Sequence, residues 1–183
     1  MNEKSESRRV RMTKRLMKDA MLELLEKEEL SNITITELCE TADVHRSTFY
    51  KYYTDPADLF LEIEQDFLEQ IPLPPPVLDQ KSEKQLLAAT TAFFDYIKEN
   101  RRAFRIFFTD SLESSFSSRL VDLLCSRYIT LIECGDEVKE AYIRIYIASG
   151  TVGMLREWVT KDFNVSSRKI AEMMYSLPRK VTE

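Results

Sequence analysis

The sequence predicts an all-α protein, and three observations support that prediction. Only three glycines and six prolines interrupt the 183 residues, which is too few for the many turns of a β protein. Leu, Glu, Lys, Ala, Arg and Met, which favour helix, fill the long segments. Apolar residues recur at intervals of three and four, the period of a helix with one buried face. Because 44% of the residues are hydrophobic, the chain can bury a full core, in one compact unit or two small ones.

The first helix is predicted over about 8–28. Its apolar residues fall on one side of the helix, and we expect that side to be buried. They are Leu16, Met17, Ala20, Met21, Leu24 and Leu25.

Charge is distributed unevenly along the chain. Residues 1–18 hold seven Lys or Arg and two Glu, whereas residues 54–183 hold 16 basic and 21 acidic side chains. This asymmetry is expected if only the N-terminal end meets phosphate groups. Residues 1–7 are expected to form a disordered arm.

A capping box begins the next predicted helix. The Thr34 hydroxyl can accept from the Glu37 amide, while the Glu37 carboxylate can accept from the Thr34 amide. The helix should therefore cover 35–42. The side chains that are expected to face inward are those of Ile35, Leu38, Cys39 and, in the turn that follows, Val44.

A second short helix is predicted over 46–52, after a turn at Asp43 and with His45 at its cap position. Phe49 faces inward, and the other side chains are polar or aromatic. Such a face can offer cations to guanine, hydroxyls to phosphate and ring edges to thymine methyl groups. Two short helices in this arrangement are typical of a helix-turn-helix that reads double-stranded DNA. The residues expected to contact DNA on this helix are His45, Arg46, Ser47, Thr48, Tyr50, Lys51 and Tyr52.

The remaining helices follow from caps and breaks. Asp55 caps a fourth helix, and Pro56 occupies its first turn, where a missing N–H costs nothing. The prolines in 72–76 must end that helix, as an extended spacer or, alternatively, as a proline-rich ligand. Ser166 is a predicted cap of the last helix. The five helices after the prolines are predicted over about 83–100, 102–109, 114–134, 137–160 and 166–177.

Several classes of function lack support. The three cysteines have no C-x-x-C spacing, so neither a disulfide framework nor a metal site is expected. With one histidine and no phosphate loop, neither a catalytic set nor a cofactor is expected. No apolar run approaches a membrane span and no signal-peptide core is present, so we expect a soluble cytoplasmic protein that contacts no membrane.

The helix-turn-helix segment resembles the N-terminal signature of the TetR/AcrR family of transcriptional regulators. The resemblance rests on Thr-Ile-Thr-Glu-Leu-Cys at 34–39, Ala-Asp-Val at 42–44 and Arg-Ser-Thr-Phe-Tyr at 46–50. The C-terminal part is similar, more weakly, to a sub-group that includes regulators of dihydroxyacetone-kinase genes. That similarity rests on Tyr-Ile-Lys-Glu-Asn-Arg at 96–101 and on Gly150, Gly153 and Trp158.

The resemblance implies a division of labour within the chain. Residues 1–54 would form a three-helix DNA-binding domain, in which Thr36 joins the DNA-contacting residues and the first helix approaches phosphates. Residues 55–183 would form a helical-bundle domain that binds an effector and dimerises, its last two long helices making a four-helix bundle with a partner. The chain departs from the family pattern at Glu29 and Asp43, where glycine is usual, and at Pro56, where a phosphate-contacting lysine is usual.

The C-terminal part carries two further sets of candidate residues. One set of aromatic residues is ordinary helical core or lines an apolar cavity for a small effector. It comprises Phe93, Phe94, Phe107, Phe108, Tyr128, Tyr146 and Trp158. Glycines within an apolar helix each cost roughly 1 kcal/mol relative to alanine, which suggests close helix packing, either between subunits or against a ligand. Of the two, the contact between subunits is favoured. The predicted interface residues are Gly150, Gly153, Met154 and Met173.

Together these features predict a homodimeric, ligand-responsive repressor that binds a palindromic operator and has no enzymatic activity. The alternative is a helical protein–protein interaction module that does not bind DNA. Salt-dependent binding to a palindromic duplex would separate the two.

Overall fold

The computed structural model of the protein describes residues 8–72, 83–109, 112–127 and 136–182, and every regular element within them is an α-helix. The predicted disordered arm 1–7, most of the proline-rich segment and Tyr128 lie outside these residues. The helices are α1 (Arg8–Leu25), α2 (Ile35–Thr41), α3 (Arg46–Phe49), α4 (Pro56–Gln70), α5 (Glu83–Glu99), α6 (Arg101–Phe107), α7 (Glu113–Arg127), α8 (Glu137–Thr160) and α9 (Ser167–Thr182).

Two compact units make up the chain, Met1–Phe67 and Leu68–Glu183. The boundary between them falls within α4. The sequence predicted a DNA-binding domain that ends at residue 54 and an effector-binding domain that follows it. This division by function stays a prediction.

The buried side of α1 is largely as predicted. Met17 and Met21 are fully buried, and Leu22 joins them. Leu16 is 40% exposed, so its assignment to the buried side was wrong. The helix ends at Leu25, before the predicted 28, because the chain turns and the Leu24 carbonyl accepts from the amides of both Lys27 and Glu28.

The capping box of α2 is present in one direction. The Thr34 hydroxyl accepts from the Glu37 amide at 3.2 Å, which starts the helix at Ile35 as predicted. The Glu37 carboxyl instead lies beside that of Glu28. Desolvation, together with the nearby Glu37 carboxyl, raises the pKa of Glu28.

Two hydrogen bonds between side chains and backbone amides stabilise the start of α4. The Asp55 carboxylate accepts from the Asp58 amide at 2.8 Å, and the Asp58 carboxylate accepts from the Thr54 amide at 3.0 Å. The predicted cap at Asp55 and helical start at Pro56 are confirmed. Reciprocal bonds of this kind satisfy amides that have no partner within the helix.

In the second unit α8 has the predicted bounds, and Asp136 caps it by accepting from the amides of Val138 and Lys139. The predicted Ser166 cap is also present, since its hydroxyl accepts from the Lys169 amide at 3.2 Å. α9 extends to Thr182, beyond the predicted end at 177. Among the described residues α5 packs on α9, and α8 contacts α6, α7 and α9.

Phenylalanine side chains fill the core of the second unit. Phe104 is fully buried and makes edge-to-face contacts with Phe107 at 5.7 Å and Phe116 at 5.8 Å between ring centroids. Phe107 and Phe116 stack at 4.5 Å. Such pairs add roughly 0.5–1.5 kcal/mol each to the contribution of their buried area. This cluster joins α6 to α7.

Candidate DNA-binding surface

Buried apolar residues hold α2 and α3 against the rest of the first unit. Leu38 and Phe49 are fully buried, and Cys39 is nearly so. The turn between the helices contains Asp43 with φ 52°, a left-handed conformation that aspartate tolerates better than most residues. The turn therefore forms without the glycine that is usual in the family pattern.

The outer side of α3 is left free by this packing. α3 itself is short, ending at Phe49 and not at the predicted 52, and the chain continues as a turn in which the Tyr52 and Tyr53 amides donate to the Phe49 carbonyl. Tyr50 is 60% exposed. Of the other predicted DNA-contacting residues, His45, Arg46, Ser47 and Lys51 are exposed, and Thr36, Thr48 and Tyr52 are half-buried. The surface formed by these eight residues is called the α3 face below.

Ring contacts fix the base of the α3 face. Phe49 meets Tyr50 edge-to-face at 5.9 Å and Tyr53 at 5.7 Å between centroids. Tyr53 is buried, at 3% exposure. The buried Phe49 ring thus packs against the exposed Tyr50 ring and holds it in place on the α3 face.

An ion-pair cluster between α1 and α4 lies in the same unit and was not foreseen from the sequence. The Lys18 ammonium contacts Glu62 at 2.7 Å and Asp66 at 2.5 Å, and the Lys14 ammonium contacts Glu62 at 3.3 Å. Burial opposes ionisation of Glu62, but the hydrogen bonds and charges of Lys18 and Lys14 outweigh it and lower the pKa of that carboxyl.

Two of the basic side chains of α1 are thus paired with α4, and the expectation that the first helix approaches phosphates stays a prediction. Lys14 and Lys18 are 22% and 18% exposed and are directed at carboxylates of α4. Arg8 and Arg9, in the first turn of α1, are exposed. The sequence does carry a signal for this ion-pair cluster. Lys14 and Lys18 are four residues apart, and so are Glu62 and Asp66.

Two other features do not occur in the part of the chain that the structure describes, a metal-binding cluster of side chains and a membrane-spanning helix. There, no three His, Cys, Asp or Glu side chains come together as they would around a metal ion. No helix among those residues is long and apolar enough to cross a bilayer.

Comparison with known proteins places the chain in a family. Residues 84–180 match the family profile described as the transcriptional regulator C-terminal region of TetR type. The chain belongs to the TetR family of transcriptional regulators. It is also 23% identical, over 174 residues, to YxbF, an uncharacterised helix-turn-helix-type transcriptional regulator of Bacillus subtilis strain 168. That match covers 88% of this chain, and the chain spans 43% of the length of YxbF.

Solved structures of TetR-family regulators share the fold. A regulator from Syntrophomonas wolfei strain Goettingen superimposes with a TM-score of 0.70 at 18% identity, covering 93% of this chain and 95% of that one. The dihydroxyacetone kinase operon activator DhaS gives a TM-score of 0.63 at 19% identity, covering 90% and 93%. These likenesses identify an all-α TetR fold, with an N-terminal helix-turn-helix and a C-terminal helical domain.

Five of the predicted effector residues of this TetR-family chain lie in the buried core of the second unit. Phe94 contacts Trp158 at 5.4 Å and Phe93 at 5.1 Å, whereas Phe107 belongs to the cluster with Phe104 and Phe116. Phe93, Phe94, Phe107, Phe108 and Trp158 are all buried. Tyr146 is 66% exposed, so its grouping with these buried rings was wrong. The reason is that Tyr146 lies on the outward side of α8.

Three of the four predicted dimer residues lie on α8, and the fourth, Met173, lies on α9. Gly150 is exposed, and Gly153, Met154 and, on α9, Met173 are half-buried. A Cβ added at Gly150 or Gly153 would meet no atom within 4 Å, so close packing within the described part of this chain does not explain either glycine. Val138, Tyr142, Ile145 and Tyr146 are exposed at spacings of four, three and one. Together with Gly150 they form what is called here the α8 face.

Proposed function

We propose that this TetR-family regulator binds a palindromic DNA operator as a homodimer, with the α3 face of each protomer in one major groove. The observation that supports this most directly is the α3 face itself. Phe49 fixes α3 from below, while Arg46, Tyr50 and Lys51 are exposed around it. A helix held in this way can enter a groove without rearrangement of the first unit.

The α3 face offers both kinds of contact that operator recognition needs. Arg46 supplies a planar fork of donors, which can bind a guanine edge in the major groove. Ser47, Thr48 and Lys51 supply hydroxyl and ammonium donors for phosphate oxygens. Phosphate contacts would fix the register of the helix, and base contacts would select the sequence.

The α8 face supports self-association as the source of two-fold symmetry. Its two tyrosines, a valine and an isoleucine form an exposed apolar strip, which is typical of a protein interface. Gly150 and Gly153 leave room for a side chain of the second copy to approach the α8 backbone closely. A two-fold dimer would present two α3 faces to half-sites about one helical turn apart or somewhat more.

Control by a small apolar effector, with repression as the default state, completes the proposal. The aromatic core of the second unit is the region in which such a molecule would be bound. An effector can lower operator affinity only by its difference in affinity between the DNA-binding and non-binding states.

Selection from random duplex DNA tests the proposal. The full-length protein should enrich a palindromic sequence, and its affinity should fall linearly with salt on a log–log scale. Arg46→Ala should weaken binding by about tenfold or more, because a bidentate base contact contributes roughly 1–3 kcal/mol. Lys139→Ala, an exposed change on α8, is the matched control and should bind as the wild type does. If no sequence is enriched, an interaction module without DNA binding becomes the better description.

A further inference from the structure

The Tyr52 ring lies close to two ammonium groups. Lys51 Nζ is 5.5 Å from the ring centroid, and Lys14 Nζ is 5.9 Å from it. Both distances are within the range of about 6 Å in which a cation is attracted to an aromatic ring. Tyr52 is half-buried, whereas Lys51 is exposed.

Lys14 is itself held in place on the inner side of this arrangement. Its ammonium contacts both carboxylate oxygens of Glu62, at 3.4 and 3.3 Å, and lies 5.8 Å from the Tyr53 ring centroid. Because the pair is only partly exposed, salt screens it less than a surface pair. Glu62, Lys14, Tyr52 and Lys51 therefore form a chain of contacts from α4 through α1 to the end of the α3 face.

Lys51 is the exposed end of this chain of contacts, and its side chain gains most from being held in place. Lysine has a flexible four-carbon stem, and ordering such a side chain against a phosphate costs conformational entropy. A ring that holds the ammonium group before DNA arrives reduces that cost.

We infer that Tyr52 is a positioning residue for DNA binding: its ring orients Lys51 toward a phosphate, and the Lys14–Glu62 pair holds the ring. The inference rests on the proposed function. It assigns the contribution of Tyr52 to its ring, so the hydroxyl is dispensable.

The experiment measures the affinity of the full-length protein for the palindromic duplex recovered by selection, using fluorescence anisotropy. Tyr52→Leu removes the ring and should weaken binding by about fivefold to thirtyfold, since both half-sites lose the contact. Tyr52→Phe, the conservative variant, should rescue most of that loss. In a Lys51→Ala background, Tyr52→Leu should change affinity by less than about twofold, because the two residues act through one contact.

A second readout is independent of DNA. In the free protein the Lys51 ε-methylene protons should show a ring-current shift in the NMR spectrum. The shift should persist in Tyr52→Phe and vanish in Tyr52→Leu. General destabilisation of the fold would not produce this pattern.

The outcomes separate the inference from the function on which it rests. Equal losses in Tyr52→Phe and Tyr52→Leu would show that the hydroxyl contacts DNA and would overturn the inference, as would a full loss in the Lys51→Ala background. Wild-type binding with an unaffected Tyr52→Leu variant would overturn the inference and leave the regulator function standing. A wild-type protein that enriches and binds no duplex would overturn both.

Discussion

The exposed aromatic residue of the α3 face, Tyr50, has Arg46 and Lys51 near it in sequence, whereas the exposed tyrosines of α8, Tyr142 and Tyr146, share their face with valine and isoleucine. The same residue type therefore serves two different surfaces. Beside cations and hydroxyls, an exposed ring suits nucleic acid; beside aliphatic side chains, it suits another protein surface. Phenylalanine, in contrast, is buried in both units, at Phe49 in the first and Phe104 in the second.

The largest expected effect tests whether buried and exposed rings differ in their contribution to the free energy of unfolding. Phe104→Ala should lower the free energy of unfolding by about 3–5 kcal/mol, because it removes a fully buried ring and leaves a cavity. Tyr50 is already 60% exposed and makes an edge-to-face ring contact with Phe49, so Tyr50→Ala should lower it by about 1.5 kcal/mol or less while weakening operator binding. Urea denaturation measures both. Similar losses of stability in the two variants would contradict the division between core and surface rings.

The next prediction concerns the α8 face. Replacing both Tyr142 and Tyr146 by serine should weaken dimerisation by about thirtyfold or more, since a central interface tyrosine contributes roughly 2 kcal/mol. Sedimentation velocity over a range of protein concentrations measures the change, with Lys139→Ala as the control on the same helix. A dimer unchanged by the double substitution would exclude this face as the interface.

A smaller effect tests whether Gly153 lies in the proposed dimer interface. Since a Cβ at Gly153 meets open space within the protomer, Gly153→Ala should stabilise α8 by up to about 1 kcal/mol in the monomer. Gly153→Leu should instead reduce dimerisation, because its larger side chain would occupy the space proposed for the partner. Unfolding and sedimentation measurements on both variants distinguish the two effects. If Gly153→Leu dimerises normally, Gly153 lies outside the interface.

The smallest effect is a pH dependence in the first unit. Because the pKa of Glu62 is lowered in the folded protein, its contribution to stability is present above the ordinary value of 4.5 and is lost as the pH falls through the lowered value. Glu62→Gln should therefore be less stable than the wild type at neutral pH, and the two should converge in acid. The control is Glu40→Gln, an exposed change on α2. A constant difference between Glu62→Gln and wild type at all pH values would contradict the ion-pair account.

The parts of the fold that were predictable from sequence depend on local chemistry. The caps at Thr34, Asp55 and Ser166 involve residues three positions apart, and so the starts of their helices could be read directly. The start and end of α8 were also predicted.

The parts that were not predictable depend on contacts between distant residues. Lys14 and Glu62 are 48 positions apart, and nothing local determines that α1 and α4 place them together. α8 is apolar on several sides, so periodicity alone does not show which side packs on neighbouring helices, and Tyr146 was placed inside although it lies outside. For the α3 face, the sequence indicated candidate residues and an inward-facing Phe49. The structure added the ring contacts of Phe49 with Tyr50 and Tyr53 and the position of Lys14 beside the Tyr52 ring.

The most direct test of the central claim is the salt dependence of binding to the selected duplex, measured for the wild type and for Lys51→Ala. The wild type should lose affinity linearly on a log–log plot. Lys51→Ala should reduce the steepness by about one per half-site, or about two for the dimer, if this ammonium neutralises a phosphate. Identical slopes for the two proteins, or binding that does not respond to salt, would contradict the claim that the α3 face enters DNA.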